Sequence, residues 1–484
     1  MKTVILFWKS SSGFSNLDLA KYSRRLKKGA AMKKDTVYSL SIQKEIQQRR
    51  LCLESEIDTC FHDLGIKTLL HRAGICKNKG FTPALLLFVL ILLPMIKESL
   101  TALWSGKYFS GLLQARKDTY YRFLNCHFFN WRNLIALLVG RLVARLDNTS
   151  YMDKVLIADD TLIHKTGNTM ELVSYHFDHT SKRSQLGYQM LQLGYHNGSD
   201  FYPVDVSFHT SKNRPNENLK VIDRRSTGWR RRTEAFEKKT DMLVSMIRRC
   251  WQTGINARFV LFDSWFAHDK IISQIVDTGY GVICRLKRSR MRYHYQDRQL
   301  TISQLWHSVA RHELHHVRSW QIRAAKLEVT LPRSGDVSVI FIRWSKKQWH
   351  AFLCTETDMD IADILNYYSR RWAIEVYFRD CKQLLGLGKN QSETFDALIA
   401  WTSIVMIRYL LLVYILAKRQ LRGPLGPLFQ DLAYEHLQLA FIKTFCDRLR
   451  KIVMLSSQLF STDSDLDTFF YLIDILENPY IDLA

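Results

Sequence analysis

Between Lys154 and Thr161 the chain reads "KVLIADDT", four apolar residues running into two acids. A short apolar run bounded in this way reads as a buried strand whose end reaches solvent. About thirty residues on, "QLGYQMLQLGYHNGSDFYPVDVSFHTS" (Gln185 to Ser211) gives two more strands around Asn197-Gly198, a hairpin turn signal. A basic, loop-like stretch from Ser211 to Arg232 then leads to a helix near Arg230 to Gln252, closed by Gly254. Next come a strand "ARFVLFD", a helix "HDKIISQIVDTG" ending at Gly279 and a strand "GVICRLK". Strand, strand, strand, helix, strand, helix, strand predicts a mixed sheet whose last strands are joined through crossover helices, an α/β structure. Asp159 and Asp263 both fall directly after apolar strands, at the carboxyl ends where open α/β sheets gather ligands.

The flanks differ in character. Residues 1–150 read as a helical N-terminal region with probable DNA contact, basic at its start (Lys21 to Lys34 carries seven Lys or Arg). Within it "KDTYYRFL" offers Lys117 and Arg122 to phosphates, as a recognition helix or as an ordinary amphipathic helix with a solvated basic face. Residues 151–290 hold the first part of the α/β core. Residues 291–355 read as a separate β-rich insertion, with "LTISQLWHSVA" followed by "AKLEVTLP", "DVSVIFIRW" and "WHAFLCT" and a turn at "RSGD". Helix returns over 356–400, the second part of the core, and 401–484 reads as a helical C-terminal region with a possible dimerisation role.

The formal charge is +23 over 484 residues, and Lys and Arg outnumber Asp and Glu along most of the chain. A polyanion is the expected partner. Nucleic acid fits, with 12 Trp and 21 Tyr available for stacking; an anionic membrane surface fits the charge as well. A membrane reading needs a span. "FTPALLLFVLILLPMI" (Phe81 to Ile96) falls short of the roughly 20 residues a bilayer requires. "SIVMIRYLLLVYILAK" is interrupted by Arg408, so both are expected to be buried core helices and no membrane partner is expected. Nine cysteines without a CxxC pair suggest reduced thiols in a cytoplasmic protein, and the N-terminal apolar run is too short for a signal peptide.

The chemistry is carried by "YYSRRWAIEVYFR" (Tyr367 to Arg379), which holds one glutamate among tyrosines and arginines. With Tyr368 at zero and about 100° per residue, Arg371, Glu375 and Lys382 fall within an arc of about 60°, so a continuous helix aligns them as one polar stripe about 21 Å long. Trp372, Ala373, Ile374, Val376, Tyr377, Phe378 and Leu385 are then expected to pack the remaining surface, with Asp380 pointing away. Taken alone, the segment also reads as i, i+4 ion pairs on a solvated face. Asp159 and Asp263 change that weighing. Carboxylates repel phosphate, so three acids in a chain built for a polyanion call for a divalent metal, which takes oxygen ligands and shares them with substrate phosphates.

Tyr368, Arg371, Glu375 and Lys382 match the Y-x2-R-x3-E-x6-K signature, and the chain here resembles the DDE transposases of bacterial insertion sequences, the cut-and-paste group. "IADDT" looks like that family's first acidic motif and "LFDSWF" its second, and a β-rich insertion before the glutamate is also characteristic. The resemblance covers roughly residues 150–400. It implies a ribonuclease H-like mixed-sheet catalytic core interrupted by the insertion. It further implies that Asp159, Asp263 and Glu375 are catalytic and bind two Mg²⁺ ions, with Mn²⁺ able to substitute, and that Tyr368, Arg371 and Lys382 contact DNA. The first motif is ambiguous because Asp159 and Asp160 are adjacent. The family pattern of Asp, any residue, then Ser or Thr favours Asp159 with Thr161, and Asp160 alternates to the opposite face of an extended chain.

The activity so implied is cleavage at transposon ends and strand transfer. The partners are double-stranded DNA with terminal inverted repeats, target DNA and a second copy in a homodimer; the location is the bacterial cytoplasm, on the nucleoid when DNA-bound. A nuclease or resolvase on the same fold, and a catalytically silent DNA-binding relative, are the alternatives. Some family members stack a flipped base on a Trp of the insertion, for which Trp306, Trp320, Trp344 and Trp349 are candidates. "RHELHHV" fits HExxH through His312, Glu313 and His316, a zinc pattern that needs a helix and here lies in a β-rich block.

Overall fold

The computed structural model describes residues 55–105, 115–178, 181–309, 314–343 and 348–455. Among the described residues, six helices precede the sheet: α1 (Glu56–Asp63), α2 (Ile66–Arg72), α3 (Pro83–Leu92), α4 (Leu100–Ser105), α5 (Lys117–Leu124) and α6 (Trp131–Leu146). The Thr82 hydroxyl accepts the Leu85 N–H and Pro83 takes the first helical position, so α3 starts sharply. It is apolar on every side and buried from Ala84 to Leu92. The octamer "KDTYYRFL" is α5; it buries Tyr120, Phe123 and Leu124 and leaves Arg122 exposed. The basic run at Lys21 to Lys34 lies outside the described residues.

The sheet starts with β1 (Val155–His164), β2 (Ser174–Asp178), β3 (Arg183–His196) and β4 (Phe201–His209). β3 is antiparallel to β1 from Gly187 to His196; its other edge is shared end to end, Arg183–Gly187 with β2 and Gln189–His196 with β4. Asn197 Oδ1 accepts from the N–H groups of Ser199 and Asp200 and Gly198 takes a φ of +98°, which closes the hairpin. Two helices, α7 (Thr227–Glu234) and α8 (Lys239–Gln252), stand where one was expected. They lead to β5 (Phe259–Phe262), then α9 (Asp269–Val276) and β6 (Gly281–Leu286). β5 is parallel to β1 and β6 parallel to β5. Spatial order is therefore β4-β3-β1-β5-β6, three antiparallel strands followed by two parallel ones, which is the ribonuclease H-like arrangement. Val155 to Ala158 are fully buried because helices cover both faces of the sheet there.

The β-rich segment adds β7 (Tyr293–Tyr295), β8 (Arg298–Leu300), α10 (Ile302–Ser308), β9 (His315–Val317), β10 (Ile322–Leu331), β11 (Gly335–Arg343) and β12 (Trp349–Cys354). It is not a detached layer. β12 pairs antiparallel with β6, so the core sheet continues through β12, β11 and β10. α11 (Ile361–Ser369), α12 (Trp372–Gln383), α13 (Phe395–Lys418) and α14 (Leu425–Leu455) follow.

α13 is the one described helix long and apolar enough to cross a membrane, yet 94% of its apolar window is buried inside the protein. Its Arg408 is 1% exposed and donates to the carbonyls of Leu90, Ile91 and Leu385. The first two are orphan acceptors at the end of α3, and the third lies two residues past the end of α12. One side chain thus ties three helices together.

Candidate active site

The register of β1 on β5 ends with Ala158 opposite Phe262, so Asp159 and Asp263 are the next residues on two neighbouring parallel strands. β1 is only partly buried from Asp159 to Leu162. Asp159 faces α12: its Oδ2 accepts from Arg371 Nη1 at 2.9 Å. Asp160 alternates to the other face, where it accepts from Gln189 Nε2 at 2.6 Å and pairs with Lys239. The two adjacent acids are therefore separated by the sheet itself.

α11 and α12 are not one helix. At Arg370 and Arg371 the backbone turns through hydrogen bonds of i to i+3 type, Arg370 N–H to Tyr367 O and Arg371 N–H to Tyr368 O, each followed by another at Ala373 and Ile374. Neither Gly nor Pro stands there. Instead the Tyr367 hydroxyl donates to the Met152 carbonyl and Arg370 to the Asp153 carbonyl, pinning the turn to the chain just before β1. Arg258, the residue before β5, supports Tyr367 by donating to its hydroxyl at 3.1 Å. The doublets Tyr367-Tyr368 and Arg370-Arg371 are thus split by role: the first member of each anchors the turn, and the second faces the acids. The pattern of paired tyrosines and arginines three apart was the available signal for the anchors, and only the second members were singled out from sequence.

The turn also shifts the phase of α12. Trp372, expected to be packed, is 63% exposed, a correction that follows from its place just after the break. Ile374, Tyr377, Phe378 and Leu385 are buried, and Asp380 lies away from the acids, buried beside Arg379. Arg371 Nη2 donates to Glu375, so a single guanidinium bridges Asp159 and Glu375. Two turns further, Lys382 Nζ donates to Thr161 Oγ1 at 2.6 Å, which lays α12 along β1. Tyr368 packs edge-on against Phe352 of β12 at 4.8 Å, with the Arg371 guanidinium 5.8 Å from its ring. Burial raises the Tyr368 hydroxyl above its usual value, with Arg371 and Asp263 acting on it in opposite senses.

Burial pushes the Asp159 carboxyl up to about 7, against the pull of Arg371 and aided by Asp160 and Asp263. An acid raised from its unfolded value near 4 favours folding fully below about pH 4, and that contribution is lost as pH rises through about 7. In a chelator, Asp159→Asn should therefore stabilise the protein by about 1–2 kcal/mol at pH 8 and by little at pH 5, read as the difference in melting temperature.

Among the described residues no three His, Cys, Asp or Glu side chains lie close enough together to cage a metal ion. The donor chemistry nevertheless fits a hard divalent cation: the acids offer only oxygen, Asp159 is raised by burial with Asp160 and Asp263 adding to it, and a guanidinium stands as cation between Asp159 and Glu375. In the β-rich segment Trp306 stacks on Trp349 at 5.4 Å and Trp320 donates to Asn366, while Trp344 lies outside the described residues. His316 lies on strand β9, and His312 and Glu313 lie outside the described residues. Cys60, Cys76, Cys126, Cys250, Cys284, Cys354 and Cys381 are free thiols.

Residues 112–326 match the family model described as a DDE superfamily endonuclease, a span that includes Asp159 and Asp263 and ends short of Glu375. This supports a DDE-type endonuclease. No curated protein matches the chain. Among solved structures it is similar to the Drosophila P element transposase strand transfer complex, at 10% identity over 84% of this chain and 94% of that one. The TM-score there is 0.24, too low to bear on either fold or function.

Proposed function

We propose that the chain is a metal-dependent DNA transposase that cleaves at transposon ends and transfers the strand into target DNA. The observation that carries this reading is the shared guanidinium: Arg371 joins Asp159 on β1 to Glu375 on α12, with Asp263 at the neighbouring strand end. Asp159, Asp263 and Glu375 are the proposed metal ligands and catalytic acids. When bound, two Mg²⁺ ions supply activation of the attacking oxygen and stabilisation of the leaving one. The remaining work falls to the chain. Arg371 presents a planar fork suited to a phosphate, Lys382 a point charge two turns away, and Tyr368 a hydroxyl beside both Arg371 and Asp263. Together they fix the register of the backbone at the acids. The buried strand ends hold the carboxylates still while this happens.

The DNA partner is a duplex with terminal inverted repeats, and a homodimer holding two such ends is the proposed working form. The test uses the purified full chain and a plasmid carrying the DNA that flanks its gene, in Mg²⁺, in Mn²⁺ and in chelator. Breaks at the repeat ends, with joined products, are expected only with metal. The word endonuclease in the matched family also covers cutting without joining; released fragments that are never inserted would favour the nuclease or resolvase reading. DNA binding without cleavage in either metal would indicate a silent relative.

A further inference from the structure

We propose that Arg371 is an exchangeable internal counter-ion: divalent metal must displace it from Asp159 and Glu375, and DNA phosphate draws it away, so metal and DNA bind cooperatively. The inference rests on the metal-dependent reading above. Its basis is that the guanidinium is divided between two acids on different elements, 2.9 Å from Asp159 Oδ2 and hydrogen-bonded to Glu375. Of the other cations on α12, Lys382 goes to the Thr161 hydroxyl and the Leu162 carbonyl and Arg379 pairs with Asp380, so the neutralising role falls to Arg371.

Three features make the guanidinium movable. It is only partly buried, with 17% of its side chain exposed. Its backbone is held by the turn that Tyr367 and Arg370 anchor, so the side chain can swing without unwinding α12. A carboxylate and a phosphate present the same pair of oxygens to a planar fork, so the donors now spent on Asp159 and Glu375 suit a DNA phosphate equally well. A cation that leaves for phosphate uncovers both carboxylates and makes the site one unit more negative at the moment DNA arrives. By linkage, DNA then tightens metal binding and metal tightens DNA binding by the same factor.

The test measures Mn²⁺ affinity of the full chain from the electron paramagnetic resonance of free Mn²⁺, with and without a short duplex of arbitrary sequence. Without DNA, Arg371→Gln should bind Mn²⁺ about tenfold more tightly than the wild type, within the usual range of coupling between sites. Arg371→Lys should fall between, since one ammonium cannot bridge both acids as the fork does. Adding the duplex should tighten the wild type towards the Gln variant and leave that variant unchanged. Equal or weaker binding by a folded Arg371→Gln overturns the proposal. If circular dichroism shows the Gln variant unfolded, equal affinity of Arg371→Lys and wild type overturns it instead. Asp263→Asn separates the two levels: Mn²⁺ binding as tight as wild type there removes the metal reading itself, whatever Arg371 does.

Discussion

Glu375→Gln should lower metal-dependent DNA cleavage by about a thousandfold or more while leaving the protein folded and able to bind DNA. A factor of that size corresponds to about 4 kcal/mol of lost transition-state stabilisation. The substitution is close to isosteric and its amide oxygen can still accept from Arg371, which now contacts Glu375. Only the charge is removed. A ligand role predicts loss of cleavage because the metals lose one of three anionic oxygens donors. DNA affinity should hold or rise slightly, since a carboxylate beside the phosphate path is gone. An i, i+4 surface pair worth a few tenths of a kcal/mol predicts no change in either quantity. Cleavage kinetics and DNA titration on the same preparation separate the two, and Asp263→Asn should behave alike.

Arg408→Met should lower the melting temperature by at least about 3 °C, through a loss of about 3 kcal/mol or more. The methionine fills much of the space and keeps the helix, so the missing element is the donor set. Arg408 is 1% exposed and donates to Leu90 O, Ile91 O and Leu385 O, with its guanidinium 4.8 Å from the Trp401 ring. Burial pushes its pKa down, and the charge is held by carbonyls at helix ends, where the helix dipole favours a cation. Without it three carbonyls lie unpaired in an apolar interior. Leu385 lies two residues past the helix of Glu375, so the damage should reach the site as well. Unchanged thermal stability would show that water or a shifted neighbour replaces the donors.

The strands that position the acids were legible because each is a short apolar run with a clear stop. "KVLIADDT", the Asn197-Gly198 hairpin and "ARFVLFD" fold as read, and period-two alternation alone was enough to send Asp159 and Asp160 to opposite faces. β2, "SYHFD", was missed: at five residues it mixes polar and aromatic side chains on the shared edge of β3. The pairing of β12 with β6 is non-local, joining Ala351–Cys354 to Ile283–Leu286, and no local periodicity encodes it. The single helix expected from about Arg230 is broken between Glu234 and Lys239 without a proline or a glycine. The break at Arg370-Arg371 likewise has no local breaker, because its cause is the anchoring of Tyr367 and Arg370 on Met152 and Asp153. Exposure of Trp372 follows from that tertiary contact and could not be read from a helical wheel.

The most direct measurement is an anomalous X-ray difference map of crystals of the full chain grown with Mn²⁺ and duplex DNA. The expected result is manganese density touching the carboxylates of Asp159 and Asp263, with Glu375 at the same site and Arg371 turned to phosphate. Manganese absent from those carboxylates, with Arg371 still bridging Asp159 and Glu375 beside bound DNA, would contradict the assignment of the three acids as one metal site.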